Sequence, residues 1–184
     1  MTVVNPHIKF NYDDYCLMPE DRRYELIGGE FFMVPSPSVI HQRVAANLEA
    51  ILREFVREKD CGEVLFAPLD VVLSPEDVVQ PDIMFISSER SNIITDANIQ
   101  GAPDLVVEIL SPSTAEKDRT IKKKLYARYG VRELWLVNTG AQVVEVFSLE
   151  EGEEKPPRLY ARSTRKPLVS PLLNGLSINL DLVF

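Results

Sequence analysis

The sequence predicts an α/β fold: a mixed sheet flanked by helices, with an N-terminal β-hairpin. Three observations carry that reading. DLVVEIL, residues 104–110, is an apolar run broken only by Glu108, the pattern of a central strand buried on both faces. A helical stretch from about Ala115 to Tyr129 and a second apolar run, Glu133 to Val137, follow it in the order of a strand–helix–strand crossover. Val39 to Val56 repeats apolar residues at the helical period, with Ile40, Val44, Leu48, Ile51, Leu52 and Phe55 on one face.

From the N-terminus, Asp13 to Pro19 has the length of a helix of one or two turns. Tyr24 to Ile27 and Glu30 to Val34 flank Gly28-Gly29, and a two-glycine turn between apolar runs marks a hairpin. The same pair is no phosphate loop, because no Gly-Lys-Ser/Thr follows. Pro35 to Ser38 breaks the strand and opens the long helix, which Asp60-Cys61-Gly62 ends. Val64 to Leu73 reads as extended chain around Pro68. A turn at Ser74 to Asp77 leads into VVQPDIMFI, where the proline fits the first residues or a bulge. Ser87 to Gly101 reads as a loop with a short helical piece. Ser113 with Glu116 matches a capping box for the second helix, and Gly130 stops it. Glu133 to Val137 pairs with Val143 to Ser148 around Asn138-Thr139-Gly140. Arg158 to Ala161 and Leu176 to Asn179 are two further strands. With no repeat and no linker, residues 1–184 make one domain.

Twenty basic residues stand against 28 acidic ones, a formal charge of −8. That argues against sequence-blind coating of DNA, which draws its affinity from releasing counterions. The charge is unevenly placed. Thr114 to Arg132 holds seven basic residues against Glu116 and Asp118, a local +5, while EEGEE at 150–154 reads as a solvated turn. Cys16 and Cys61 have no CxxC partner, so they read as buried free thiols of a reducing, cytoplasmic protein. No signal-like N-terminus and no apolar stretch of membrane-spanning length is present, so no membrane partner is expected.

Several residues break the apolar pattern. An ionised Glu108 inside its strand costs several kcal/mol unless it is paired or metal-bound. It either reaches solvent at the sheet's rim or belongs to a site there, since rims are where α/β proteins place their chemistry. Asp82 lies on the face of Met84 and Ile86, and Asp70 on the face of Val72. Carboxylate oxygens converging on one point suit a hard cation, Mg²⁺ or Mn²⁺. Zinc does not fit, with only His7 and His41 and no paired-cysteine spacing. With Ile121 set to zero on a helical wheel, Leu125 falls at about 40°, Asp118 at about 60° and Lys122 at about 100°, whereas Lys123 falls at about 200°. Lys122 thus belongs to the apolar face with Asp118 four residues before it. It either snorkels to solvent or meets the site carboxylates. His41, near Leu48 and Leu52 on its helix, serves a structural hydrogen bond or the site, and Glu25 in the first hairpin strand is open in the same way. Tyr126, Tyr129 and Trp135 read as packing.

YELIGGE at 24–30, SxxHQR at 38–43, APLDVVL at 67–73 and VQPDIMFI at 79–86 form a series. It continues with GAPDLVVEILSPST at 101–114 and with D-x-x-x-K-x-x-x-Y-A-x-x-G-V from Asp118 to Val131. This series resembles the Uma2 "putative restriction endonuclease" family, formerly a domain of unknown function, of the PD-(D/E)xK nuclease superfamily. The resemblance covers about residues 12–147 and leaves 148–184 as a C-terminal strand extension. It implies a restriction-endonuclease-like sheet, with Asp82 and Glu108 as catalytic acids. Leu110 stands where the superfamily pattern expects its lysine, and the resemblance moves that role to Lys122. Glu25, His41, Asp70 and Gln80 match other polar positions of the family.

The resemblance implies a DNA endonuclease dependent on Mg²⁺ or Mn²⁺. Asp82, Glu108 and the Ile109 carbonyl would hold the metal, and Lys122 would orient water or stabilise phosphoryl charge. Asp118 and the family's other polar residues would support them, and the products would be 5′-phosphate and 3′-hydroxyl ends. The +5 stretch would face the DNA backbone. A homodimer is expected because a duplex needs two cuts, and no organic cofactor is expected. Two alternatives stand beside this: an inactive nuclease fold with a binding or regulatory role, and a phosphodiesterase acting on RNA or nucleotides.

Overall fold

The computed structural model describes residues 9–19, 21–112, 115–149 and 155–184. The capping box at Ser113 and the acidic run at 150–154 lie outside them. A short helix α1, Tyr12–Tyr15, precedes the hairpin of β1, Arg23–Ile27, and β2, Glu30–Val34. Ile27 pairs with Glu30 across the turn, and Gly28 and Gly29 take φ of 59° and 80°. Both central positions of such a tight turn need positive φ, which glycine adopts without a Cβ clash. Helix α2, Val39–Lys59, starts at Ser38, whose hydroxyl accepts from the His41 amide, and ends at left-handed Asp60.

The remaining chain builds two sheets where the apolar pattern predicts one. β3, Gly62–Phe66, and β6, Ile83–Ser87, join β8, Leu105–Leu110, β9, Glu133–Asn138, β10, Val143–Ser148, and β11, Arg158–Ala161. Their order is β11-β10-β9-β8-β6-β3, and only β8 and β9 run parallel. β4, Val71–Ser74, β5, Asp77–Val79, and β7, Ile99–Gln100, join the hairpin in a second sheet, β2-β1-β5-β4-β7. The prolines explain the split. Pro68 and Pro81 offer no N–H to a ladder, so β3 ends before the first, β5 before the second, and the chain changes sheet at each. A small pair, β12, Leu168–Val169, and β13, Ser177–Ile178, closes the C-terminal region.

Alternation along β8 sends Leu105, Val107 and Ile109 to one face and Val106, Glu108 and Leu110 to the other. The first face packs with Val44, Leu48, Leu52 and Val56 of α2 and with C-terminal residues such as Leu176 and Val183. The second packs with Leu125 and Tyr126 of the crossover helix and with Val71 and Val79 of the second sheet. Ile40, predicted on the inner face of α2, is 47% exposed, because the helix's first turn overhangs the sheet.

The crossover helix α3 is interrupted. Ala115–Lys117 is α-helical, Asp118–Lys122 forms a π-helical turn, and Lys123–Tyr129 is α-helical again, ending at left-handed Gly130. The wider turn shifts the register by one residue, so Ile121 is exposed while Asp118 and Lys122 are buried. The predicted burial of Cys16 also fails: it sits on the surface just after α1, while Cys61 is half-buried, and both are free thiols. No helix among the described residues is long and apolar enough to cross a membrane.

Candidate active site

Asp82 directly precedes β6, and Glu108 lies near the C-terminal end of the neighbouring β8. The β6–β8 ladder stops at Ile83↔Val107. Beyond that point the Asp82 carboxylate takes the place of a strand, with Oδ2 accepting from the Ile109 amide at 2.7 Å. In an extended strand the N–H and C=O of one residue point the same way, so the Ile109 carbonyl faces the same edge. His41, in the first turn of α2, donates from Nε2 to the same Oδ2 at 3.2 Å, while its Nδ1 is buried without a partner among the described residues. Asp82, Glu108, Ile109, His41, Lys117 and Lys122 all line one cavity of about 990 Å³.

Lys122, at the end of the π turn, reaches into this cavity. Its Nζ lies 2.6 Å from Glu25 Oε1, 2.9 Å from Glu108 Oε1 and 3.6 Å from Asp118 Oδ1, with 4% of the residue exposed. Snorkelling is therefore not what this lysine does. Burial opposes its charge, but Glu108 and Glu25 outweigh burial and hold its pKa well above the usual lysine value. Burial also favours the neutral form of Glu25, yet Lys122 and Lys117 win and lower it. Glu108 goes the other way. Burial pushes it up to about 8, Lys122 pulls against that, and Asp118, Asp82 and Glu25 add like-charge repulsion.

Two participants do not stand out in the sequence pattern. Tyr126, which reads as core, donates its hydroxyl to Glu108 Oε1 at 2.5 Å. Lys117 donates to Glu25 Oε2 at 2.7 Å and rests 5.2 Å from the centre of the Phe32 ring. A tyrosine on an apolar helix face looks like packing until its hydroxyl is placed. Lys117 becomes legible only once the hairpin is known to meet α3.

Of the other expected site residues, Gln80 lines the cavity and Asp70 stands behind it. Gln80 donates its backbone N–H to Glu25 Oε1 at 3.3 Å and its Nε2 to Asp70 Oδ1 at 2.8 Å. Asp70 Oδ1 also accepts from the Tyr15 hydroxyl at 2.7 Å. Asp70 thus ties α1 and Gln80 together and does not line the cavity. The +5 stretch is partly neutralised within the fold, with Lys123, Lys124 and Arg128 outside its ion pairs among the described residues. Lys117 and Lys122 meet the acids above, Arg119 pairs with Glu145, and Arg132 lies 3.5 Å from Asp104.

Around Lys122, the carboxylates of Glu25, Asp82, Glu108 and Asp118 outnumber the ammonium groups of Lys117 and Lys122. Excess negative charge and hard oxygen donors fit a divalent cation in kind. Among the described residues no group of three or more His, Cys, Asp or Glu is arranged to hold one, so a site here would rest on two carboxylates and a backbone carbonyl.

Known proteins share this chain's sequence and fold. It is 25% identical over 183 residues, 97% of its own length and 93% of the relative's, to the "Uncharacterized protein slr1290" of Synechocystis sp. (strain ATCC 27184 / PCC 6803 / Kazusa). Its fold matches the crystal structure of "a putative nuclease belonging to DUF820" from Anabaena variabilis ATCC 29413, with a TM-score of 0.79 at 19% identity, covering 95% of this chain and 97% of that one. The model of the Uma2 family, "Putative restriction endonuclease", matches residues 11–181, taking in the C-terminal strands as well as the two sheets. A chain matched over nearly all its length by that model belongs to the Uma2 family.

Proposed function

We propose that the chain is a divalent-metal-dependent endonuclease that hydrolyses phosphodiester bonds of DNA. One observation carries this reading: Asp82, Glu108 and Lys122, from three separate elements, line one cavity, with the ammonium 2.9 Å from the Glu108 carboxylate. Asp82, Glu108 and the Ile109 carbonyl would hold Mg²⁺ or Mn²⁺. Such an ion, when bound, polarises a phosphate and lowers the pKa of a water.

The chain's own residues supply position and charge. His41 and the Ile109 amide both donate to Oδ2 of Asp82, which leaves Oδ1 for a ligand. Tyr126 fixes Glu108 through Oε1. Glu25 and Asp118 hold the Lys122 ammonium beside Glu108, preorganised for charge developing on phosphoryl oxygens. Gln80 and Asp70 brace the hairpin that carries Glu25. With one such site per chain, cutting both strands of a duplex takes two copies.

The test is conversion of supercoiled plasmid with Mg²⁺ or Mn²⁺, compared with EDTA and with Glu108→Ala. Metal-dependent nicking that the substitution abolishes is expected, and nicking unchanged by it contradicts the assignment. A second reading, a nuclease fold without hydrolysis, is favoured by the lack of a three-side-chain metal cluster among the described residues. Parent protein that leaves both plasmid and single-stranded DNA intact in both metals would support it.

A further inference from the structure

We propose that the strand cut at this site is unpaired: the preferred substrate is single-stranded DNA, with Phe66 as the platform on which a base stacks. The inference rests on the nuclease reading and narrows its substrate.

The depth of the cavity favours an unpaired strand. Glu108 and Lys122 line the cavity yet are 5% and 4% exposed, so they form its floor. Phe66 and Ile40 line the same cavity at 51% and 47% exposure, so they form its opening. A phosphate in a duplex rides on a stiff rod that bends only at a cost of kilocalories. An unpaired strand can turn its backbone inward and lower one phosphate to the floor.

Charge points the same way. A duplex carries one negative charge per about 1.7 Å of axis, and proteins bind it by setting basic side chains against that density. This chain has a formal charge of −8, and half of the basic residues on α3, Lys117, Arg119 and Lys122, meet the acids Glu25, Glu108, Asp118 and Glu145, which leaves Lys123, Lys124 and Arg128. Three remaining cations on one helix are few against the charge density of a duplex, and they suit a ligand held in part by stacking. On the cavity wall, the Lys117 ammonium gives one of its three N–H donors to Glu25, and the others suffice to hold a single phosphate.

The aromatic ring lies where such a strand needs it. Phe66 ends β3 opposite Ile83, and the next residue, Ala67, donates its amide to the Asp82 carbonyl at 3.0 Å. A base stacked on Phe66 therefore has its own backbone beside Asp82. The Arg53 guanidinium, paired with Glu49, lies 5.6 Å from the ring centre and steadies the ring from one side. A large half-exposed aromatic at the mouth of a polar cavity is placed for this contact, since every base has a face to stack and no sequence need be read.

The test is fluorescence anisotropy in EDTA, where no cleavage occurs, with a labelled 12-nucleotide single strand and the same sequence as a blunt duplex. The single strand should bind at least about tenfold tighter. Phe66→Ala should lose about tenfold on the single strand and leave the duplex unchanged, while Phe66→Trp should keep parent affinity. A thermal melt of each variant confirms that the half-exposed site has not unfolded the protein. Equal or tighter binding of duplex, or parent-like single-strand binding by Phe66→Ala, overturns the proposal. If the duplex is preferred and still cut with metal, this inference falls alone. If neither form is bound or cut, the nuclease reading falls with it.

Discussion

Glu108 and Glu133 occupy neighbouring strands of one sheet, and both are nearly sealed from solvent, at 5% and 1% exposure. Burial raises the pKa of each. Their surroundings differ. Glu133 accepts from the Trp135 indole at 2.6 Å, the Ser170 hydroxyl at 2.7 Å and the Leu172 amide at 2.9 Å. All three donors are neutral, the charge of Arg158 bears on the group less than they do, and two of the donors come from the C-terminal segment, so this carboxylate is a tether. Glu108 instead meets an ammonium and three further acids, and it lines a cavity. A buried carboxylate alone does not mark a site. Charged company and an opening to solvent do.

Removing each carboxylate in turn should give opposite results. Glu108→Ala and Asp82→Ala should each lower metal-dependent cleavage by about a thousandfold or more, about 4 kcal/mol of transition-state stabilisation, while Glu133→Ala leaves the rate per folded molecule within about twofold. Single-turnover cleavage at fixed Mn²⁺ reads this. Stability should respond in the opposite sense. Glu133→Ala leaves an indole N–H, a hydroxyl and an amide unpaired and should cost about 3 kcal/mol, lowering Tm by roughly 10 °C in calorimetry.

Two smaller effects separate the pair further. The Glu108 carboxyl titrates near 8 in the folded chain against an ordinary value of 4.5, so the native state holds that proton longer than the unfolded state does. Its contribution to stability is complete below pH 4.5 and is lost as pH rises toward 8. Glu108→Gln should therefore flatten the fall in metal-free stability across that window, as urea midpoints taken from about pH 5 to 8 would show. Tyr126→Phe removes one donor to Glu108 and should cost only about 1–1.5 kcal/mol, with cleavage reduced less than by Glu108→Ala.

Much of this arrangement is legible in the sequence, for reasons that also explain where the sequence misleads. Helical projection turns Lys122 inward, because an ammonium among apolar neighbours stands out. The same projection misplaces Ile121, because an α-helical wheel does not anticipate a π turn. Alternation picks out Glu108 and Asp82 as acids among apolar neighbours in two strands, and both reach the cavity. Asp70 has the same pattern yet goes to Tyr15 and Gln80, since alternation gives a face and not a partner. The division into two sheets is hidden because apolar runs on either side of Pro68 and Pro81 look alike whichever sheet they join. Glu133 draws no notice at the start of its strand, because its donors lie up to 39 residues away in the chain.

The proposed cleavage would require Asp82 and Glu108 to act on one ion together. Titration of the protein with Mn²⁺, followed by the loss of the free-ion paramagnetic resonance signal, tests this without reference to any substrate. One ion per chain is expected for the parent, with binding weakened at least about a hundredfold by Asp82→Asn and by Glu108→Gln alike, and unchanged by Glu133→Gln. Parent-like Mn²⁺ binding by either of the first two variants would contradict it.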